Sequence, residues 1–147
     1  MNELRLTIEL VPEKAWQKSL KDILPAREWN KIRTTVIAES QSKCGICSGT
    51  GRMNCHEVWE YDDKSNVQRL NGFVCLCNKC HFIKHFGMTQ ILAVKGSIDI
   101  GEIINHFLAV NSCDLEVFET HKKEAFAVWR RCSQQEWKTD YGPYADL

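Results

Sequence analysis

Four cysteines in two close pairs are the residues of this chain most typical of metal chemistry. The pairs are Cys44/Cys47 and Cys77/Cys80, and each has two intervening residues. A Cys-x2-Cys turn offers two thiolates from one loop, and four thiolates satisfy the tetrahedral preference of zinc. The spacing therefore predicts a structural zinc site. Because protein ligands would fill all four positions, we assign this site no catalytic role.

Histidines lie beside both cysteine pairs. Cys55 and His56 stand between the pairs, and His81 and His85 follow the second pair. On a helix, residues four apart share a face, so His81 and His85 could hold one metal ion. Cys55 or His56 could supply a third ligand, and the other residue could be a general base near neutral pH. The alternative is that His81 only borders the zinc knuckle and His85 is a surface residue.

A hairpin and a helix are predicted to position these side chains. Residues 54–61 and 67–76 are typical of strands, and turn-forming residues at 62–66 join them. Asn78 is suited to be the N-cap of a helix that carries the two later histidines, and Gly87 is suited to end it. Zinc would then connect the start of the hairpin to the start of the helix.

The flanking segments complete an α+β prediction. Residues 4–10 alternate apolar and polar, which predicts an N-terminal strand. A helical C-terminal cover follows the zinc-stabilised core, and the length fits a single domain over residues 1–147. The remaining helices are predicted over residues 13–24, 26–39, 88–94, 98–110 and 114–137.

Composition excludes several classes of protein. A hydrophobic fraction of 44% argues against global disorder, and 19 basic residues balance 19 acidic ones. A nucleic-acid contact would therefore need a local basic patch. The sequence has no long apolar run and no signal peptide, which predicts a cytoplasmic protein without membrane contact and with reduced cysteines. We interpret Cys75, Cys113 and Cys132 as packing residues.

The motifs together resemble the HNH endonuclease superfamily, in its zinc-knuckle subtype with a ββα-metal (His-Me finger) fold. The resemblance covers residues 44–86 and rests on the Cys44/Cys47 pair, on Cys55-His56 and on the run at 76–85. It implies a core over residues 44–86 that holds the four-cysteine zinc site and one further divalent cation. Its implied activity is hydrolysis of DNA phosphodiester bonds.

The resemblance also implies a role for individual residues. His56 matches the general base, and His81 and His85 match the cation ligands on the helix. Cys55 stands where the superfamily has a further ligand. The middle asparagine of the motif falls on Gly72, and the neighbouring Asn71 could serve after a shift of one residue.

The residues themselves do not determine which cation binds. Mg²⁺, Mn²⁺, Ni²⁺ and Zn²⁺ are candidates, and a thiolate suits Zn²⁺ better than Mg²⁺. Glu57 or Glu60 could take the place of Cys55 as a ligand. Adjacent strand residues point to opposite faces, so Cys55 and His56 could both serve only in a twisted or bulged strand.

The predicted partner is DNA. Lys79 and Lys84 lie in a stretch without acidic residues, and Arg52 and Arg69 flank the hairpin. Such side chains contact phosphates without reading sequence. The sequence therefore favours a metal-dependent DNA endonuclease, acting as a monomer or a homodimer. The alternative is a catalytically inactive, zinc-containing module with the same fold that binds DNA or protein.

Overall fold

A long β-hairpin is the centre of the computed structural model, which describes residues 3–145. Strand β1 (Met53–Asp62) pairs antiparallel with β2 (Val67–Cys77), and β3 (Lys138–Asp140) pairs parallel with β2. The strand order is β1-β2-β3, so β1 lies at one edge of the sheet. The hairpin was predicted from the sequence, whereas β3 was not.

A β-bulge interrupts the hairpin in its middle. Val58 pairs with Gly72 but Trp59 pairs with Leu70, so Asn71 is an extra residue on β2. Gly72 has φ of +148°, which glycine adopts without the strain that a side chain would cause. The bulge therefore places Asn71 outside the regular ladder.

Helices precede and follow the hairpin in the sequence. Side chains of Ser19, Asp99 and Asp114 accept hydrogen bonds from the first turns of the helices that start at Leu20, Ile100 and Leu115, and thus fix where these helices begin. Short 3-10 turns occur at Glu13–Ala15 and Gly142–Tyr144. The helices within residues 3–145 are α1 (Leu20–Ile23), α2 (Ala26–Glu39), α3 (Asn78–Lys84), α4 (Phe86–Val94), α5 (Ile100–Asn111) and α6 (Leu115–Cys132).

The predicted N-terminal strand is wrong, because residues 4–10 are irregular, with a bend at Arg5 and Leu6, and join no sheet. Helix side chains satisfy their backbone instead. The N–H and C=O of Leu6 each bond to the Asn111 amide at 2.9 Å, and the Ile8 N–H donates to His121 Nε2 at 2.9 Å. The alternating pattern therefore reflects the burial of Leu6 and Ile8 rather than strand pairing.

The boundaries of α3 also differ from the sequence prediction. Its N-cap is Cys77, whose Sγ accepts from the Cys80 N–H at 3.5 Å, and not Asn78. Gly87 does not end this helix but lies inside α4, and His85 separates the two helices. Cysteine ligation sites and helix caps favour the same turn geometry, so the zinc knuckle itself begins the helix.

The main apolar core lies between α3, α5, α6 and the hairpin. Phe107 and Phe118 are fully buried, with ring centroids 4.9 Å apart, and Phe86 packs 5.5 Å from Phe118. Ile83 of α3 joins the same cluster. Across residues 3–145, every helix is too short or too polar to cross a membrane.

Candidate metal centres

Four cysteines converge where the hairpin meets α3. The Sγ atoms of Cys44, Cys47, Cys77 and Cys80 all lie within 4.8 Å of one another. Cys44 and Cys80 are buried, with 3% and 0% exposure. Four thiolates in this arrangement fit a tetrahedral ion of the zinc type. The group that the sequence predicted is thus assembled in the structure and could hold a structural metal.

The surroundings of the thiols favour cation binding at this cluster. Burial raises the pKa of the Cys44 thiol, but backbone N–H groups of Cys47, Cys77 and Ile46 lower it overall, to about 7. Burial and the neighbouring thiolates raise the pKa of Cys80. A divalent cation would offset the repulsion between the thiolates and would release their protons.

One neighbour of this cluster was not found from the sequence. His106 of α5 places Nε2 3.2 Å from the Sγ of Cys80. An imidazole N–H at this distance can donate to a metal-bound thiolate and orient it. The contact joins residues 26 positions apart, and no local motif marks it.

Three histidines form a second cluster, with one residue from β1 and two from α3 and its C-terminal end. Ligand nitrogens of His56, His81 and His85 lie within 4.8 Å of one another. The ring centroids of His81 and His85 are 4.6 Å apart, and that of His56 lies 5.5 and 5.1 Å from them. His56 is provided by β1, His81 by α3, and His85 by the junction of α3 and α4. The structure therefore brings together the predicted base and both predicted helix ligands.

The electrostatics of the histidine triad suit metal binding. Burial, assisted by the other two imidazoles, lowers the pKa of His81 to about 3. Burial and His56 likewise lower the pKa of His85 to about 4. Both rings are therefore neutral at neutral pH and keep a lone pair free for a cation. Three imidazoles suit Zn²⁺ or Ni²⁺ better than Mg²⁺, which prefers oxygen ligands.

A carboxylate from the N-terminal segment adjoins the triad. Glu9 Oε2 lies 3.2 Å from Nε2 of His56, and Glu9 Oε1 lies 2.6 Å from Nζ of Lys84. Burial raises the pKa of Glu9, but the contacts with His56 and Lys84 lower it overall, to about 2. Glu9 is thus a carboxylate anion at neutral pH. The sequence analysis did not find it, because residues 47 and 75 positions away supply its partners.

Cys55 lies apart from the histidine triad. It packs with the cluster of Leu20, Trp29 and Leu70, while the adjacent His56 joins His81 and His85. Strand alternation explains this separation, since the bulge lies beyond both residues. Burial raises the pKa of the Cys55 thiol to about 12, so it stays protonated. This geometry argues against the predicted role of Cys55 as a cation ligand.

The other predicted additions to the site have different partners. Asn71 donates from Nδ2 to Glu60 Oε2 at 3.2 Å. Glu57 accepts from the N–H groups of Leu20 and Lys21 at 3.0 and 3.4 Å, at the start of α1. None of the three predicted residues Asn71, Glu57 and Glu60 is grouped with the triad.

The predicted DNA contacts fall into two classes. Lys84 is 6% exposed and its ammonium bonds to Glu9 and Thr7, so it is not available to a phosphate, in contrast to the sequence prediction. Arg69 pairs with Asp140 at 3.2 Å. Arg52 and Lys79, however, are exposed. Contact with DNA phosphates therefore stays a prediction for these two residues.

An open groove of about 910 Å³ runs past the triad. Lys21, Arg33 and Arg52 line it, and no acidic group of residues 3–145 lies within 4.0 Å of their charged nitrogens. The charge of Lys21 also acts on His81 and His85, lowering the pKa of both. Lys21 is therefore an unpaired cation close enough to act on the potential metal site, and no motif in the sequence could have indicated Lys21 or Arg33.

Comparison of the chain with protein-family models, with curated proteins and with solved structures gave no match.

Proposed function

We propose that this protein is a metal-dependent DNA endonuclease with a zinc-stabilised ββα-metal core of the HNH type. The observation that carries the proposal is the triad of His56, His81 and His85 within 4.8 Å, open to a groove with unpaired cations. Metal-binding imidazoles beside positive charge suit a phosphodiester, whose hydrolysis needs charge neutralisation and an activated water.

The triad consists of two cation ligands and one base in this proposal. His81 and His85 hold a divalent cation, which when bound polarises the phosphate and stabilises the leaving oxygen. His56 removes the proton from the attacking water, since its imidazole lies within reach of the same centre. Lys21 and Arg52, which line the same groove, bind the phosphates that flank the cleaved bond.

The four-cysteine zinc site has a supporting role. Cys77 and Cys80 belong to the first turn of α3, and His81 follows directly. A zinc ion that connects this turn to the Cys44/Cys47 loop fixes the helix on which both cation ligands depend. In this proposal the cysteine site stabilises the fold, and the histidine triad carries out the chemistry.

An inactive binding module is the second candidate. The position of Asn71 favours it, because its side chain contacts Glu60 rather than the triad. Under this alternative the groove binds DNA or protein, and the histidines contribute only to packing.

Plasmid cleavage distinguishes the two candidates. Purified wild type and His56→Ala are incubated with supercoiled plasmid in Ni²⁺, Mn²⁺, Zn²⁺ or Mg²⁺. We expect wild type to nick or linearise the plasmid, best with Ni²⁺ or Zn²⁺, and His56→Ala to be about 10²–10⁴-fold slower. Circular dichroism and the bound zinc establish that both proteins are folded. Absence of cleavage by folded, zinc-loaded wild type in every metal would favour the binding module.

A further inference from the structure

Glu9 is a charged side chain in direct contact with the histidine triad that the proposed mechanism does not use. Its two carboxylate oxygens have different partners: Oε1 contacts the ammonium of Lys84 and Oε2 contacts Nε2 of His56. The side chain is 43% exposed, whereas His56 and Lys84 are 6% and 7% exposed. Glu9 therefore reaches from the wall of the groove onto two buried groups.

The segment that carries Glu9 is fixed on both sides of the residue. The Glu9 N–H donates to the carbonyl of Lys84 at 3.0 Å. The preceding Ile8 N–H donates to His121, and the Trp129 Nε1–H donates to the carbonyl of Val11 at 2.9 Å. These bonds attach the N-terminal segment to α3 and α6, so the position of the carboxylate is set by tertiary contacts.

The ionic contact with Lys84 determines the protonation state of Glu9, and thereby the kind of hydrogen bond that Glu9 forms with His56. A carboxylate that faces an ammonium is ionised and has no proton to donate. The proton in the contact between Glu9 and His56 must therefore belong to Nε2 of the imidazole. A neutral imidazole carries one N–H, which leaves the lone pair on Nδ1.

We infer that Glu9 is a positioning residue that holds His56 in the Nε2–H tautomer, so that Nδ1 is the nitrogen that acts as base or ligand. Carboxylates that accept a hydrogen bond from one nitrogen of an imidazole fix its tautomer and orientation and raise the basicity of the other nitrogen. The effect on catalysis rests on the proposed nuclease function, whereas the tautomer does not.

Histidine ¹⁵N NMR tests the tautomer directly. Full-length protein with its structural zinc is labelled at histidine, and long-range ¹H–¹⁵N correlations separate protonated from unprotonated ring nitrogens. His56→Asn identifies the signals of this ring. We expect wild-type His56 to be protonated at Nε2, and Glu9→Gln to populate both tautomers because its amide can donate as well as accept.

The matched control is Glu39→Gln, because Glu39 is an exposed carboxylate at the end of α2 and does not line the groove. It should leave the His56 signals unchanged. In plasmid cleavage, Glu9→Gln should reduce kcat by about 10–100-fold, with KM nearly constant, and Glu39→Gln should not. Zinc content and circular dichroism report whether each variant is folded.

An Nδ1–H tautomer in wild type, or a His56 spectrum that Glu9→Gln leaves unchanged, would overturn the inference. If wild type cleaves no DNA, the nuclease proposal fails, but the spectra still decide the role of Glu9.

Discussion

The cysteine cluster and the histidine triad both draw residues from α3 or its ends, yet they differ in the type and number of their ligand atoms and in whether the groove reaches them. The cysteine cluster offers four ligand atoms, and two of its cysteines are almost fully buried. The triad offers at most three ligand atoms and lines an open groove. A closed ligand set stabilises a fold, whereas a free coordination position admits a substrate. The comparison teaches that the seven residues of α3, Asn78–Lys84, lie between two groups of side chains that could each hold a metal ion.

The surroundings of the two clusters also differ, since one lies in the apolar core and the other contacts a solvent-exposed side chain. Cys80 is contacted by His106 of α5 and lies in the main apolar core. His56 is contacted by Glu9, which the solvent reaches. Disturbing the first cluster should therefore affect the whole fold, while disturbing the second should affect binding and rate.

Loss of the structural zinc should have the largest effect. Cys80→Ser removes a buried ligand, and structural zinc contributes on the order of 10 kcal/mol in small zinc domains. That is comparable with the total stability of a typical domain. We expect the hairpin amides to lose protection from hydrogen exchange, and the second cation to be lost as well.

The matched control for this variant is Cys113→Ser, which makes the same chemical change at a partly buried cysteine outside both clusters. Cys113→Ser should keep one structural zinc per chain and the native pattern of amide hydrogen exchange. If Cys80→Ser retained protected β1 and β2 amides without zinc, the cysteine cluster would not be a folding element, and the contrast between the two centres would disappear.

The sequence was informative where ligands are close together in the chain. The Cys-x2-Cys pairs and the four-residue spacing of His81 and His85 are local, and the structure assembles both groups. The hairpin and most helices follow from equally local patterns. Contacts between distant segments could not be predicted, because nothing in the sequence near Glu9 or Lys84 indicates that they meet.

Two errors have a common physical cause. Alternation at residues 4–10 was interpreted as a strand, although side chains of helices satisfy that backbone. Lys84 was interpreted as a DNA contact, although it is buried against Glu9. In each case a local pattern reported burial or charge correctly but could not identify the partner, which the tertiary fold supplies.

A smaller effect is expected at the groove beside the triad. Lys21→Gln removes an unpaired charge, and a lost phosphate contact lowers the slope of log affinity against log salt by about 1. DNA binding measured by fluorescence anisotropy at several salt concentrations gives this slope. Lys64→Gln is the control, since Lys64 is exposed at the hairpin turn and does not line the groove. Equal slopes for both variants would exclude Lys21 as a phosphate ligand.

The smallest effect is expected at Cys55, where the structure and the HNH resemblance differ most sharply. Its protonated thiol lies in an apolar cluster behind β1, so Cys55→Ala should cost about 1 kcal/mol of stability. The second cation and the cleavage rate should be unchanged, because no ligand of the triad is lost. Metal analysis by mass spectrometry and a plasmid assay measure both. A variant that kept its structural zinc but lost the second cation would instead make Cys55 a ligand, and would require β1 to twist on metal binding. The reactive centre would then be formed by its cation, whereas we expect the triad to be assembled before the cation binds.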